Sequence, residues 1–421
     1  MRVLVVGSGG REHALAWKIS RSLIVRKIWV VPGNSGIQND KIECAAIAAN
    51  NYNELLAFCK KENVDFVVVG PDQAIADGFV DLLEKNGVMV FGPTKAAGKL
   101  EWSKSFAKEV MQAAQIPTAK FHVFTELKAA EQFLSEVEWG DGWVVKADGL
   151  ALGKGVVVAA TVAEAEAALR ANFEQRRFGE AGARVVVEEY LAGEEVTVMA
   201  LVADGELRLL APSRDHKRAH DGDEGPNTGG MGAYTPAHWL EKEFEEKVSR
   251  KVIEPLLKEM NKRGTPYRGV LFIGFICTKN GSKVLEFNAR FGDPETQALL
   301  WHLDEDILPW LISTAQNTLK SMSKPLLWKK GSTVYVVMAA SGYPGEVKKG
   351  DAIQINEVKS DQLKIFYAGV SGNSSELKTN GGRVLGVAAV GNSLAEARAL
   401  SYLQVEKIKF NEAQFRRDIG E

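Results

Sequence analysis

Three polar residues with complementary chemistry alternate along one short segment of the chain, Glu286, Asn288 and Arg290. Successive side chains of a β-strand point to opposite faces, so these three are expected on one face and Leu285 and Phe287 on the other. A carboxylate and an amide oxygen are ligands that Mg²⁺ prefers beside phosphate oxygens, and a guanidinium can hold a carboxylate or a phosphate through two parallel hydrogen bonds. The spacing therefore predicts a site for a metal ion and an anionic substrate. The alternative is the solvated face of an edge strand.

The surrounding sequence predicts a β-hairpin that leads into a functional turn. An apolar run at 269–277 is followed by an Asn-Gly pair within 279–281, and Asn-Gly between two apolar runs strongly favours a hairpin. Asp204-Gly205, between the predicted strands at 196–202 and 207–210, predicts a second hairpin. The second strand continues without a spacer into a turn that carries Asp293, Pro294 and Glu295. Because turns on rigid strands often hold binding residues, we expect these three residues at the same substrate site.

Composition indicates a globular enzyme that acts on small molecules. The chain has 421 residues, of which 45% are hydrophobic, and its net charge is −2. A chain of this length needs more than one core, which predicts two to four structural units. The near-zero net charge argues against nucleic acid as an obligate partner. The three cysteines fit a reducing cytosol, and no apolar run is long enough to span a bilayer, so we expect a cytoplasmic protein without a membrane partner.

Six motifs, in order along the chain, resemble those of one enzyme family. The run Glu-Phe-Asn-Ala-Arg-Phe-Gly-Asp-Pro-Glu-Thr-Gln at 286–297 resembles the signature of the phosphoribosylamine–glycine ligases, or glycinamide ribonucleotide synthetases, of the ATP-grasp superfamily. The other motifs stand at 7–15, 69–72, 91–94, 215–218 and 225–234. The resemblance implies that glycine, 5-phosphoribosylamine and ATP react through glycyl phosphate to give glycinamide ribonucleotide, ADP and phosphate, a step of purine synthesis. It also implies Mg²⁺ or Mn²⁺ as the metal cofactor.

The predicted elements and the resemblance divide the chain into three domains, so the expected fold class is multidomain α/β and α+β. Residues 1–101 are expected to form a Rossmann-like domain with a parallel sheet that binds substrate. Residues 102–326 are expected to form the ATP-grasp domain, in which about 118–191 is a flap or lid. Residues 327–421 are expected to form a small α+β domain that walls the active-site cleft. The expected state is a monomer.

The apolar run at 1–6 predicts a buried parallel strand, which ends in a glycine turn that opens the first predicted helix, Gly9-Gly10-Arg11. Backbone amides at a helix N-terminus suit an anion, and the resemblance implies the 5′-phosphate of phosphoribosylamine there. A dinucleotide site is disfavoured because Glu12 stands where its third glycine should be. A tight structural turn is the remaining alternative. The resemblance also implies a ribose contact at Asp72, which is one methylene shorter than the glutamate that the family usually carries.

A predicted strand ending in Lys146 precedes a glycine-rich loop that ends at Gly155, an order that resembles the phosphate-binding flap of ATP-grasp enzymes. The resemblance implies that Lys146 contacts the nucleotide phosphates and that the amides of the loop, with Gly153 and Gly155, close over the γ-phosphate. It implies Lys104 as the first phosphate-binding lysine, and Lys108, one helical turn later, is the alternative. The ordinary role of a single lysine is a solvated surface position.

The strand predicted at 185–191 resembles the hinge whose backbone meets the adenine ring in this family. The resemblance implies nucleotide contacts from Glu188, Glu189 and Leu191, and contacts with the ribose hydroxyls from Glu195. Acidic residues at a strand end are otherwise often only solvated.

A long irregular segment begins at Asp215, and loops of this length are usually functional or disordered. The resemblance implies that Asp215 and Lys217 contact phosphoribosylamine and glycine. Asp215 is also a candidate to take the proton of the attacking amine, with solvent as the alternative. Arg290 is expected to hold the carboxylate of glycine; the alternative is that it only braces Asp293 or Glu295 in its own turn.

Two other functions agree with parts of this pattern. A different ATP-grasp enzyme, either another carboxylate–amine ligase or a carboxylase acting on a nucleotide or on biotin, would share the nucleotide site, but a carboxylase needs a bicarbonate site. A regulatory protein that binds nucleotide without turnover would keep the cleft. The combination of Glu286, Asn288 and Lys146 favours catalysis over regulation.

Overall fold

The computed structural model describes residues 1–151, 155–241, 243–373 and 376–421. The first elements are β1 (Arg2–Gly7), α1 (Gly10–Ser20), β2 (Lys27–Pro32), β3 (Ile42–Cys44), α2 (Tyr52–Lys61), β4 (Phe66–Val69), α3 (Asp72–Ala76), α4 (Phe79–Lys85), β5 (Val90–Phe91) and α5 (Lys95–Trp102). Their strands form one parallel sheet in the order β3-β2-β1-β4-β5. Val3 and Val5 pack into one core cluster and Leu4 and Val6 into another, because a parallel sheet is covered on both faces. The predicted parallel α/β unit is confirmed.

A small antiparallel sheet with two helices follows. Its elements, after the connecting helix α6 (Lys104–Ala113), are β6 (Phe121–Phe124), α7 (Leu127–Glu136), β7 (Trp143–Ala147), β8 (Val156–Ala159), α8 (Val162–Phe173) and β9 (Val185–Glu189). The strand order is β6-β9-β7-β8. The inner strands β7 and β9 bury Val145 and Val187 against Leu134 of α7 and Leu169 of α8. This unit lies within the segment that the sequence predicts as a lid.

A larger antiparallel sheet carries the predicted metal residues on its edge strand. The elements of this part are β10 (Glu194–Ala203), β11 (Glu206–Leu209), β12 (Arg214–Asp215), β13 (Arg218–His220), β14 (Glu224–Asn227), β15 (Gly232–Thr235), α9 (Phe244–Val248), α10 (Glu254–Lys262), β16 (Gly269–Thr278), β17 (Gly281–Asn288), α11 (Glu295–His302) and α12 (Ile307–Ala315), with a π-helical turn at Ser249–Ile253. The sheet order is β11-β10-β16-β17, so both predicted hairpins are present. The sequence after the irregular segment that begins at Asp215 predicts a helix from about 239 to 262, and in the structure the helical stretch begins only at Phe244.

The strict alternation predicted for β17 is wrong at one position. Glu286 pairs with Gly274 and Val284 pairs with Phe275, so Leu285 is an extra residue without a partner on β16. Such a bulge breaks the two-residue period. Leu285 consequently lies at the cleft beside Glu286. Phe287 is buried in the core as expected, and its edge also contributes to the cleft wall.

The C-terminal part is an α+β unit, as predicted, but its sheet includes strands from the preceding part of the chain. Its elements are β18 (Ser332–Ala339), β19 (Gln354–Ile355), β20 (Leu363–Tyr367), β21 (Val370–Asn373), β22 (Glu376–Thr379), β23 (Arg383–Gly391), α13 (Leu394–Val405) and β24 (Ile408–Lys409). The central sheet has the order β12-β15-β18-β23-β20. Through β12, this sheet reaches Asp215, so the segment predicted as irregular is partly strand.

One hydrophobic core cluster joins all three parts of the chain. It contains Val3 and Leu15 from the N-terminal sheet and α1, Leu299 from α11, and Tyr335 and Phe366 from the C-terminal sheet. Shared core packing of this kind fixes the relative positions of the elements that surround the cleft. None of the helices in the described ranges combines the length and the apolar character needed to cross a membrane.

Candidate functional site

A cleft of ≈ 900 Å³ is bounded by the small sheet, the larger antiparallel sheet and the segment that follows β12. Most of the predicted site residues line it: Asp72, Lys104, Lys146, Gly155, Glu188, Glu189, Leu191, Glu195, Asp215, Lys217, Glu286, Asn288, Arg290, Asp293 and Glu295. Gly9, Gly10, Arg11 and Pro294 do not lie on its wall. The predicted Gly153 falls outside the described residues. The cleft therefore gathers residues predicted for nucleotide, metal and substrate in one space.

Two lysines share one buried carboxylate at the nucleotide side. Lys108 Nζ lies 2.9 Å from Glu188 Oε2, and Lys146 Nζ lies 2.8 Å from Glu188 Oε1. The strands explain this arrangement, because Lys146 on β7 pairs with Val186 and Glu188 is two residues further along β9, on the same face. Burial lowers the pKa of Lys108 to about 8, although the charge of Glu188 raises it. Because two cations share one anion, this part of the cleft carries a net positive charge, which favours the binding of phosphate.

The two candidate lysines of α6 differ in their surroundings. Lys104 is the first residue of the helix, is half-buried and contributes to the electrostatic field at Glu286. Lys108 is 2% exposed and donates a hydrogen bond of 2.7 Å to Thr118 Oγ1 in addition to its contact with Glu188. Sequence reasoning kept Lys108 as an alternative phosphate ligand, but it did not predict its role as the buried partner of Glu188.

The acidic residues predicted near adenine and ribose already have protein partners. Glu189 Oε1 accepts hydrogen bonds from the Lys120 amide at 3.0 Å and from Lys283 Nζ at 2.9 Å. Burial acts to raise the pKa of Glu189, but these hydrogen bonds outweigh it and the pKa is lowered. Glu195 pairs with Lys217 at 2.5 Å, and both side chains are partly exposed. The Glu189 carboxylate is thus already engaged, and the amides of Glu189 and Tyr190 donate to the carbonyls of Lys120 and Gly142, both at 3.0 Å.

Buried charges are concentrated where β12 meets β17. Burial raises the pKa of Asp215, against the opposing charge of Lys217, whose Nζ lies 3.9 Å from Asp215 Oδ2. Burial and the charge of Asp215 raise the pKa of Glu295 to about 7. Burial alone would lower the pKa of Lys217, but Asp215 and Glu195 outweigh it and raise the pKa well above the ordinary value. The site thus holds a lysine that stays protonated and two carboxyl groups with raised pKa values, of which that of Glu295 is near neutral.

Arg290 is held by a residue that sequence reasoning missed. Its Nη2 lies 3.0 Å from Glu101 Oε1 and donates to Asn288 Oδ1 at 3.3 Å, while Nη1 donates to the Phe291 carbonyl at 3.2 Å. Glu101 is buried at the end of α5, and its Oε2 accepts a hydrogen bond from the Ala289 amide at 2.8 Å. The ion-pair partner of Arg290 is therefore Glu101, not an acidic residue of the turn at 293–295.

Asp293 is fixed by the C-terminal part of the chain. Arg383 at the start of β23 pairs with both of its carboxylate oxygens, at 3.2 Å and 3.0 Å, and Gln297 Nε2 donates to Oδ1 at 2.8 Å. Arg383 Nη1 also donates to the Gly229 carbonyl at 2.7 Å. No local motif marks Arg383, since its partner lies 90 residues away. The predicted wall of the cleft thus supplies side chains that hold the site together.

The side chain of Glu12 fills the N-terminal glycine turn. Glu12 Oε2 accepts a hydrogen bond from the Gly9 amide and Oε1 accepts one from Arg11 Nε, both at 2.7 Å. A Cβ on Gly7 would lie 2.5 Å from Glu12 Cγ, so the side chain fills the space inside the turn. This agrees with the exclusion of a dinucleotide, whose pyrophosphate would need that amide. The turn nevertheless lies close behind the substrate residues, because Arg11 Nη1 donates to the Phe291 carbonyl at 3.0 Å.

Glu286 and Asn288 suit a hard divalent cation. The carboxylate of Glu286 lines the cleft and forms no hydrogen bond or ion pair with any residue in the described ranges, and Asn288 lines the same cleft. Burial acts to raise the pKa of Glu286, but Lys217, Lys146 and other nearby cations outweigh it and lower the pKa, so the carboxylate is ionised. Within those same ranges no group of three or more His, Cys, Asp or Glu could hold a metal. A cation would therefore take two protein oxygens and complete its shell with phosphate and water.

Asp72, the predicted ribose contact, is the first residue of α3 and lines the cleft. Its Oδ1 accepts a hydrogen bond from the Gln73 amide at 2.9 Å. Asp72, although shorter than glutamate, thus lies at the cleft wall, which is the position that a contact with the ribose requires.

Family comparisons assign all three parts of the chain to one family. The phosphoribosylglycinamide synthetase N domain matches residues 1–101, the ATP-grasp (A) domain matches 102–296 and the C domain matches 333–421. A phosphoribosylamine–glycine ligase of Allochromatium vinosum is 44% identical over 423 residues, which cover 100% of this chain and 98% of that relative. A trifunctional purine biosynthetic protein of Gallus gallus is also 44% identical, over 421 residues that are 42% of its length.

Solved structures agree with these matches. The phosphoribosylamine–glycine ligase of Thermotoga maritima superposes with a TM-score of 0.85 at 32% identity, with 100% of both chains covered. A biotin carboxylase of Campylobacter jejuni superposes with a TM-score of 0.76 at 16% identity, covering 98% of this chain and 92% of the other, which shows a shared ATP-grasp fold alone. The chain therefore belongs to the phosphoribosylglycinamide synthetase family.

Proposed function

We propose that this chain joins glycine to 5-phosphoribosylamine with ATP, giving glycinamide ribonucleotide, ADP and phosphate. The full-length relatives bear the name of this reaction. The observation that supports it for this chain is the cleft, in which the lysines predicted for phosphate lie in one space with Glu286, Arg290 and Asp215. Such a space can hold a nucleotide, a carboxylate and an amine together.

The first step converts the carboxylate of glycine into a mixed anhydride with phosphate. Oxide is a poor leaving group, so a carboxylate oxygen attacks the γ-phosphorus, the bond to ADP breaks, and glycyl phosphate forms. Lys104 and Lys146 would neutralise the phosphate charge, and Arg290 would orient the carboxylate; the fact that all three residues line one cleft supports these roles. Glu286 and Asn288 would hold Mg²⁺ or Mn²⁺, which supplies further charge neutralisation at the phosphates.

The second step forms the amide bond. The amine of phosphoribosylamine attacks the glycyl carbon, a tetrahedral oxyanion forms, and phosphate leaves with the oxygen that came from glycine. The nitrogen loses a proton in this step. Asp215, whose pKa is raised by burial, would accept it, and solvent is the alternative acceptor.

The remaining predicted contacts complete the proposal. The backbone near Glu189 and Leu191 would meet adenine, Glu195 the ribose of ATP, and Gly155 the phosphates. Asp72 and the turn at 293–295 would contact phosphoribosylamine, with Gly9, Gly10 and Arg11 behind them at its 5′-phosphate, which would have to displace Glu12 from the Gly9 amide. The proposed domain limits are 101 and 326, with a lid at about 118–191. We expect the protein to act in the cytoplasm as a monomer.

The test is the substrate dependence of ADP release. Purified protein with ATP and Mg²⁺ should release ADP in proportion to glycinamide ribonucleotide only when both glycine and phosphoribosylamine are present. ADP release that depends on bicarbonate would instead indicate a carboxylase, which shares the fold. Nucleotide binding without turnover for any pair would indicate a regulatory role.

A further inference from the structure

We propose that Arg416, near the C-terminus, is a positioning residue that fixes the β13–β14 hairpin at the substrate end of the cleft. Its side chain is only 1% exposed. Nη1 donates to Asp223 Oδ1 at 2.6 Å and to the Arg218 carbonyl at 3.3 Å, which lie on the turn and the first strand of the hairpin. Asp418 holds the other edge of the guanidinium, through Nε at 2.7 Å and Nη2 at 2.5 Å. Arg416 thus joins the C-terminal segment to the hairpin.

Two backbone contacts strengthen the same connection. The Gly222 amide donates to Asp418 Oδ2 at 2.9 Å, and the Arg417 amide donates to Asp221 Oδ1 at 2.7 Å. The turn of the hairpin is therefore held from both sides by the segment 416–418.

The β13–β14 hairpin is only weakly stabilised by contacts within itself. Every residue of β14 is exposed, and the pairing between β13 and β14 shifts register between Arg218 and His220. A two-stranded hairpin without a buried face is marginal in water. The conformation of the hairpin therefore depends on contacts with other segments. One of these contacts comes from the guanidinium of Arg416, which is fully buried.

The hairpin matters because it borders the substrate residues. Arg218, Asp223 and Asn227 line the cleft, and Lys217, the residue before β13, reaches Asp215 and Glu195. A shift of about 1 Å at reacting groups can cost 10²-fold in rate. Loss of the Arg416 contacts should therefore affect the use of glycine and phosphoribosylamine. The contacts of Lys146 with Glu188 and Leu285 do not involve the hairpin, so the use of ATP should be spared.

The decisive variant is Arg416→Lys, which keeps the charge but cannot engage Asp418 through two donors and reach Asp223 as well. Asp221→Ala removes one contact from the hairpin side at an exposed residue that does not line the cleft. Arg417→Ala is the matched control, since its 65% exposed side chain pairs with Glu406 while its backbone amide contact remains.

The kinetic part of the inference rests on the proposed function, whereas amide exchange tests the hairpin independently. Arg416→Lys should raise the KM for glycine and phosphoribosylamine at least tenfold and leave the KM for ATP within twofold. Hydrogen–deuterium exchange at 218–228 should quicken in Arg416→Lys and less so in Asp221→Ala, and Arg417→Ala should match wild type in both measurements. Unchanged exchange, or an equal rise in all three KM values, would overturn the inference. If wild type does not turn over these substrates, the proposed function fails, and unchanged exchange still decides against the hairpin role. If Arg416→Lys does not fold, the KM values and the amide exchange of Asp221→Ala test the inference in its place.

Discussion

Replacement of Arg290 by lysine tests whether the guanidinium orients the carboxylate of glycine. In the structure one guanidinium serves Glu101, Asn288 and the Phe291 carbonyl at once. An ammonium keeps the charge but has neither the planar donor pair nor the reach to serve these partners and a substrate together. The variant should therefore keep its fold through the Glu101 contact and lose the geometry at the cleft.

The expected size follows from the hydrogen bonds at stake. A hydrogen bond to a charged group contributes about 1.5–3 kcal/mol, which corresponds to about 10–150-fold. Arg290→Lys should lower kcat/KM for glycine by that factor and leave the KM for ATP within about twofold, because the nucleotide lysines contact Glu188 instead.

The assay is steady-state kinetics with each substrate varied in turn, beside a thermal melting curve. Arg268→Lys is a matched control, since Arg268 pairs with Glu84 away from the cleft and such partly exposed pairs contribute about 0–1 kcal/mol. A lysine variant with normal glycine dependence would remove Arg290 from the glycine site. Equal losses for all three substrates with a lower melting temperature would show that Arg290 acts only as the structural partner of Glu101.

Three further predictions concern other residues of the proposed site. Lys146→Ala should raise the KM for ATP by about 10–150-fold, and unchanged ATP kinetics would refute a phosphate contact. Arg11→Ala should weaken the binding of phosphoribosylamine and leave the binding of ATP nearly unchanged. Stabilisation of the N-terminal part against unfolding by added NAD would contradict this, because it would indicate a dinucleotide site. Burial raises the pKa of Glu295 from 4.5 to about 7, so the folded protein loses stability relative to the unfolded chain as pH rises across that interval. Glu295→Gln should therefore gain stability relative to wild type from pH 4.5 to 8 in denaturant titrations, and a constant difference would refute the shift.

Local sequence patterns predicted the elements because they depend on neighbouring residues. The Asn-Gly and Asp-Gly pairs set the two hairpins, and Asp204 and Gly205 have positive φ angles of 50° and 77°, as such turns require. The continuous apolar run of β1 predicted a parallel strand covered on both faces. The pattern of apolar residues and the residue types of the turns were therefore enough to predict these strands and hairpins.

Long-range pairs and a register change could not be predicted in the same way. Lys108 and Glu188 are 80 residues apart, and no local signal indicates that Lys108 points away from solvent. The bulge at Leu285 depends on the partner strand, so the sequence of β17 alone suggests regular alternation. Glu101 and Arg383 were missed for the same reason, since each is identified only by the distant residue that it holds.

The transfer of oxygen from glycine to phosphate tests the central claim most directly. Glycine labelled with ¹⁸O in its carboxylate should be turned over with phosphoribosylamine and unlabelled ATP, and the released phosphate analysed by mass spectrometry. If glycyl phosphate forms in this cleft, each phosphate carries one ¹⁸O atom, because the bridging oxygen comes from glycine. Phosphate without label, released together with glycinamide ribonucleotide, would contradict attack of the carboxylate on the γ-phosphorus.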